Sequence, residues 1–411
     1  MKQSTFFSTI HLFLGMYIVL WLNAGNFSYI GDYIPTVVKF GLVAIWLMLS
    51  FVQHPDFIVE YVKLSWPLLF FTFIMIVSMS SFTQQFQMNY IYCLIMLAVT
   101  CYYYKYGTPK DIKAIILIFA LDVLIVSIHT YVVVLENPIV ARAISTGAAL
   151  REDLLEDVVV PKGVGGYGLC YQLCCLIPIV SYFFNKKKIN IIVKLIAYAF
   201  VLLLLFQAQF TLALITYVIC LIISFSYGKN GTINLLIAKF VMVVVAVLLI
   251  INIEPILEYA IELSNAELAT RLNEILNFIR ESDTSGSDIS SRLDLYQKSL
   301  NSFGSNIIIG SFGAKTYGSH STFLDLLGAF GIIGGLGYAG LVLPMFKARN
   351  YIQRDNNIRK VATLSILVIM VLSVINVIIS VEIMLTSIVI LPLGLKYLYD
   401  NGGGKLENSA N

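Results

Sequence analysis

Apolar residues run along this chain in stretches of roughly twenty, separated by short polar breaks, instead of recurring every three or four residues as on a helix with one wet face. A bilayer core about 30 Å thick requires roughly 20 apolar residues per helix. Twelve stretches meet that need, at approximately 6–24, 36–53, 64–81, 88–104, 112–134, 164–184, 190–207, 209–227, 233–253, 320–346, 360–379 and 381–398. The pattern predicts an all-α polytopic membrane protein of about 12 transmembrane helices, forming a single integral membrane domain over 1–411. Almost nothing separates 190–207 from 209–227, or 360–379 from 381–398, so each pair reads as a helical hairpin. The first stretch lacks a small-residue cleavage site and reads as a retained helix.

The composition agrees, with 58% hydrophobic and 12% charged residues. The polar breaks also have a sidedness. With a cytoplasmic N-terminus, eighteen of the 27 basic residues fall on the inner side, among them "NKKK" at 185–188 and "KARNYIQRDNNIRK" at 347–360. Lys and Arg in short connectors set orientation, so both termini are expected in the cytoplasm. Two long intervals, 135–163 and 254–319, then lie outside, and they carry most of the acidic residues. Chemistry is therefore expected outside the cytoplasm, beyond the reach of ATP and nucleotide sugars, on a substrate that is already activated.

No CxxC, no HExxH and no lysine-bearing phosphate loop is present, and all six cysteines fall inside predicted helices as small apolar residues. The outer loops are richer. Residues 254–281 show apolar positions at helical spacing and predict one or two amphipathic helices. "SSRLDLYQKSL" at 290–300 predicts a further helix with Ser291 as N-cap, Asp294 completing a capping box and Arg292 as its first residue. Free amides and a guanidinium there suit a phosphate. The competing reading is a solvated Asp288–Arg292 pair, worth only a few tenths of a kcal/mol. His320 stands where the tenth span begins, with Ser319, Ser321 or Thr322 as its cap, and an imidazole there can take a proton from a hydroxyl. The competing reading is a cap or interface histidine. His129 is a weaker candidate of the same kind, and His11 and His54 lie toward the wrong side.

"LREDLLED" in the first outer loop reads as a charged surface helix, from which Arg142, Arg151 or Lys162 could still reach a phosphate. Gly328, Gly331, Gly334, Gly335, Gly337 and Gly340 read as close-packing residues of the tenth span. Asp122, Asp325 and Glu382 each cost roughly 2.5–3.5 kcal/mol at mid-bilayer on insertion scales and should avoid lipid. Asp325, about 7 Å deeper than His320 and rotated from it along a helix, is expected to orient a neighbour or a sugar hydroxyl.

A long outer loop between the ninth and tenth spans, an "R-x-x-x-aromatic" helix from Arg292 to Tyr296, and then "GSFGAKTYGSHSTFLDLLGAFGIIGG" resemble the O-antigen polymerase and O-antigen ligase superfamily. The resemblance covers the topology, with its specific signal in 290–335. It implies a glycosyltransferase that joins an oligosaccharide on undecaprenyl diphosphate to a hydroxyl of an acceptor. In the polymerases that acceptor is another lipid-linked repeat; in the ligases it is the lipid A core. Arg292 would hold the diphosphate and His320 would deprotonate or orient the acceptor, while Tyr296, Tyr317 and Asp325 would line the substrate site. The chain departs from many relatives in carrying "LLLFQAQFTLAL", with Gln209 where a Ser-Arg pair would place its arginine. A second diphosphate-binding cation would then be Arg151, Arg280 or Lys315.

No D-x-D occurs, and a diphosphate leaving group needs positive charge above all, so the implied reaction is metal-independent, needs no cofactor and inverts the anomeric carbon. A chain-length-regulating membrane protein and a flippase are further implied partners, and nucleic acid is not. The absent Ser-Arg pair favours polymerase over ligase. From other classes, a flippase or transporter of lipid-linked sugars is the chief alternative, and a structural or sensory membrane protein a third. Transporters usually show paired halves and broken helices, and no internal repeat is visible here.

Overall fold

The computed structural model describes residues 2–23, 34–78, 81–136, 140, 163–208, 210–225, 253–262, 288–314, 316–352 and 355–401, together with 269–270, 272–273 and 276–277. Among the described residues the chain is 86% helical and contains no strand. In chain order the helices are α1 (Lys2–Leu22), α2 (Thr36–Gln53), α3 (Phe57–Ser78), α4 (Ser81–Lys105), α5 (Pro109–Glu136), α6 (Tyr167–Lys186), α7 (Ile191–Gln207), α8 (Thr211–Phe225), α9 (Ile253–Glu262), α10 (Asp288–Ser305), α11 (Thr322–Tyr351), α12 (Asn356–Ile375) and α13 (Val381–Asp400).

Seven of these, α2, α3, α5, α6, α11, α12 and α13, are long and apolar enough to cross a membrane. The protein is thus helical and multi-pass, with seven candidate spans among the described residues where the hydrophobic pattern predicts twelve. Three further apolar helices, Phe6–Leu22, Ile191–Gln207 and Thr211–Ser224, are shorter, and the expected span 233–253 lies, but for its last residue, outside the described residues.

Burial ranks the spans. In α13, 78% of the membrane window is buried against other helices, whereas in α2 only 17% is. α13 is therefore central and α2 turns most of its surface outward. α11 is the other central element, packing on α3, α10, α12 and α13. Glycine permits its close approaches: a Cβ on Gly337 would lie 2.4 Å from the Phe71 ring, and one on Gly340 would lie 3.0 Å from the Leu68 backbone nitrogen. The close-packing reading thus holds for both.

Gly331 does something else. With φ 60° and ψ −143° it interrupts α11, dividing it into 322–330 and 332–351. That left-handed backbone suits glycine alone. The free groups at the break are satisfied by the loop 306–314: Ile332 N–H donates to the Ile307 carbonyl (2.9 Å), while Ser311 and Gly313 N–H donate to the Gly328 and Ala329 carbonyls (2.9 and 2.8 Å). The predicted tenth span is therefore two helical pieces held by the loop that precedes them.

The carboxylate expected to avoid lipid in α5 does so. Asp122 is 6% exposed and accepts from Asn23 Nδ2 at 2.5 Å. Asn23 Oδ1 in turn accepts from Gln172 Nε2 (2.9 Å), which also lies 3.0 Å from Thr386 Oγ1 and from the Glu382 carbonyl. This chain joins α1, α5, α6 and α13 where α13 widens into a π turn, Thr386–Ile390. All six cysteines are buried and free, as their sequence positions suggest.

Candidate functional site

His320 lies just ahead of α11, in a loop held by side chains of α10 and α11. Ser321 caps the helix, its Oγ accepting from Leu324 N–H at 3.1 Å. Asp325, 6% exposed, reaches back across the turn. Its carboxylate accepts from Ser319 N–H (3.1 Å), Ser321 N–H (2.8 Å) and the Ser299 hydroxyl (2.6 Å). The amides on both sides of His320 are thus fixed by a single carboxylate. Three donors also compensate for removing that carboxylate from water. Ser319 adopts φ 66°, a left-handed backbone costing about 1–3 kcal/mol for a residue with a side chain.

Ser299 connects this loop to the helix that carries Arg292. Besides donating to Asp325, its hydroxyl accepts from Gly318 N–H at 2.9 Å. Gly318 is pressed against α10, where a Cβ would lie 2.0 Å from the Leu295 carbonyl oxygen. Ser302 Oγ donates to the Gly328 carbonyl at 2.9 Å and lies 3.0 Å from Thr316 Oγ1. α10 and the His320 loop therefore form one hydrogen-bonded body. Arg292 and Ser299 are seven residues apart, two turns on nearly the same helix face.

The helix begins at Asp288, earlier than the predicted Ser291 cap, so Arg292 sits more than a turn inside α10 and not among its free N-terminal amides. An acidic first residue suits the positive end of the helix dipole. A phosphate at Arg292 would thus meet a guanidinium inside the helix, not a helix terminus. Arg292 is partly buried and within electrostatic range of Tyr167 and Tyr171, one turn apart at the start of α6.

Those tyrosines were not picked out by the sequence reading, and neither was the turn they hold. Residues 376–380, between α12 and α13, receive bonds from four directions. Tyr167 donates to the Val377 carbonyl (2.7 Å), and Asn376 Nδ2 donates to the Tyr171 hydroxyl (3.0 Å). Asn89 Nδ2 donates to the Ile379 carbonyl (3.0 Å), and Ile378 N–H donates to Thr322 Oγ1 (2.7 Å). Just beyond, Ser380 caps α13 and Glu382 occupies its first turn. The Glu382 carboxylate rests on Gly168, where a Cβ would fall 2.4 Å from Oε2. The paired tyrosines after "GVGG" were the available signal, but only tertiary packing brings them within electrostatic range of Arg292.

The other expected substrate residues divide into two groups. Tyr296 is spent on structure, donating to the Ile375 carbonyl at 2.7 Å and tying α10 to the end of α12. Tyr317 is 5% exposed, and burial pushes its phenol up to about 12, so it stays protonated and serves as core. Asp325 fixes the loop through its backbone instead of offering a free carboxylate to a sugar. Arg142, Arg151, Lys162, Arg280, Lys315 and Gln209 lie outside the described residues.

The remaining histidines are engaged elsewhere. His129 Nδ1 donates to the Gly163 carbonyl (3.2 Å), His11 is buried against Ser50 and Trp46, and His54 stacks on Tyr106 with ring centres 4.1 Å apart. No protein-family model matches the chain, and no curated protein matches it in sequence.

Proposed function

We propose that the chain is a membrane glycosyltransferase that polymerises undecaprenyl-diphosphate-linked oligosaccharide repeats into a surface polysaccharide at the outer face of the bacterial plasma membrane. The observation that carries this reading is the single body formed by α10 and the His320 loop, which mounts a permanent cation and an imidazole together through Ser299 and Asp325. In the reaction, the acceptor hydroxyl oxygen forms a bond to the anomeric carbon while the bond from that carbon to the diphosphate oxygen breaks. The departing diphosphate takes the electron pair and is stabilised by Arg292, and the hydroxyl proton passes to His320. Attack opposite the leaving group inverts the anomeric configuration.

The experiment is extension of a purified lipid-linked repeat by the full-length protein. His320→Ala and Arg292→Ala should each reduce extension by about 10²–10⁴-fold at unchanged expression, the range for loss of a positioned acid, base or charge donor. Unimpaired extension by both variants would overturn the proposal. In cells, single repeats on the surface carrier identify a polymerase, and unattached polymer on its lipid identifies a ligase.

A second reading has its own support. The break at Gly331, the π turn in α13 and the intramembrane Asp122–Asn23–Gln172 chain are features transporters share. A transporter of lipid-linked sugars predicts repeats trapped on the inner leaflet in a His320→Ala strain, whereas the polymerase predicts them accessible outside.

A further inference from the structure

The end of the bundle opposite the Arg292–His320 rim holds a cavity of about 420 Å³, between the start of α3 and the ends of α4, α11 and α13. Three lysines reach it. Lys105 is ion-paired with Asp56 (3.0 Å) and Glu60 (3.4 Å), and hydrogen bonds from Tyr106 and then Lys105 hold the Asp56 carboxyl below its usual range. Lys396 pairs with Asp400 (3.5 Å) and lies over the rings of Tyr104 and Tyr351, 5.3 and 5.6 Å from their centres. Lys347 has no acidic partner among the described residues. The hydroxyl of Tyr104 is buried and has no hydrogen-bond partner there either, whereas that of Tyr351 donates to Asp400 at 3.2 Å.

Among the described residues, one ammonium without a counter-ion and one unpaired phenol thus belong to the lining of the same space. What completes them must carry negative charge and present oxygen atoms. It must also tolerate apolar neighbours, since Leu64, Cys101 and Pro344 share the lining. The cavity sits where four helices end; three of them, α3, α11 and α13, are candidate spans, and the ends of a spanning helix lie at the headgroup level of a bilayer.

We infer that this cavity binds the phosphate of an anionic phospholipid, with Lys347 and Tyr104 as its donors and Lys396 adding positive potential. The inference is independent of the proposed reaction, because none of these residues belongs to the opposite rim.

The test uses full-length protein, delipidated in detergent, examined by native mass spectrometry and thermal unfolding with phosphatidylglycerol, phosphatidylcholine or inorganic phosphate. Phosphatidylglycerol should be retained one per chain and raise the unfolding temperature. Tyr104→Phe and Lys347→Ala should each weaken retention about tenfold, the scale of one hydrogen bond to a charged group, with helical content unchanged. Lys110→Ala, an exposed residue outside the cavity, should retain the lipid normally. Equal retention by the two cavity variants would overturn the inference. So would equal binding of phosphatidylcholine, or an identical shift from inorganic phosphate, which would make this a free-anion site.

Discussion

The backbone around His320 is held by Asp325, which grips the amide on either side of it. Asp325→Asn keeps one acceptor oxygen but turns the other into a donor facing Ser321 N–H. The expected result is about 1–3 kcal/mol of lost stability, seen in detergent unfolding, together with reduced polymer formation. Ser299→Ala should cost a comparable amount, about 1–3 kcal/mol, since it removes a donor to the carboxylate and leaves the buried Gly318 N–H without its acceptor. If both variants leave unfolding and polymer untouched, the loop is fixed by something other than this carboxylate. At this scale the sequence was partly readable. The cap at Ser321 follows from residue type, whereas the pairing of Asp325 with Ser299, twenty-six residues away, follows only from the docking of α10 on α11.

Among the elements, three glycines differ in what surrounds them. Gly331 combines a left-handed backbone with a Cβ position 2.4 Å from the Ile308 carbonyl carbon. Gly331→Ala should therefore cost at least the roughly 1–2 kcal/mol of the backbone conformation, and more where backbone must move. Gly168→Ala pushes into the Glu382 carboxylate, and overpacking of that kind costs typically about 1–3 kcal/mol. Gly41 has nothing within 4 Å of its Cβ position, so Gly41→Ala should be neutral or stabilising by up to about 1 kcal/mol. Thermal unfolding of the three variants checks the order, and an equal loss from all three would contradict these contacts. Hydropathy alone reads α11 as one continuous span, because a glycine in a long apolar run gives no sign that a loop carbonyl will cap the chain beyond it.

For the whole molecule, the decisive question is which end faces out. The charge of the short connectors predicts that the end carrying α10, the 376–380 turn and the start of α6 is extracytoplasmic. Gly304→Cys, at an open exposed position on α10, should react with a membrane-impermeant thiol reagent in intact cells. Lys110→Cys, exposed at the other end, should react only after permeabilisation. The native cysteines are buried and should stay silent. Labelling of the second variant alone would invert the topology and remove the basis for an outer-face reaction.

The sequence by itself determined the class. Runs of apolar residues can satisfy their backbone polar groups in lipid only as helices, so a helical membrane protein was fixed by composition and run length. It also marked Arg292 and His320, because charged and titratable groups at the rim of so oily a chain are few. Tertiary structure alone decided that α11 breaks at Gly331, that Asp325 serves the backbone, and that Tyr167 and Tyr171 come within electrostatic range of Arg292. Hydropathy reports how each segment partitions into the membrane, one segment at a time. Which polar groups meet at the rim depends instead on how helices distant in sequence pack, and no local pattern records that.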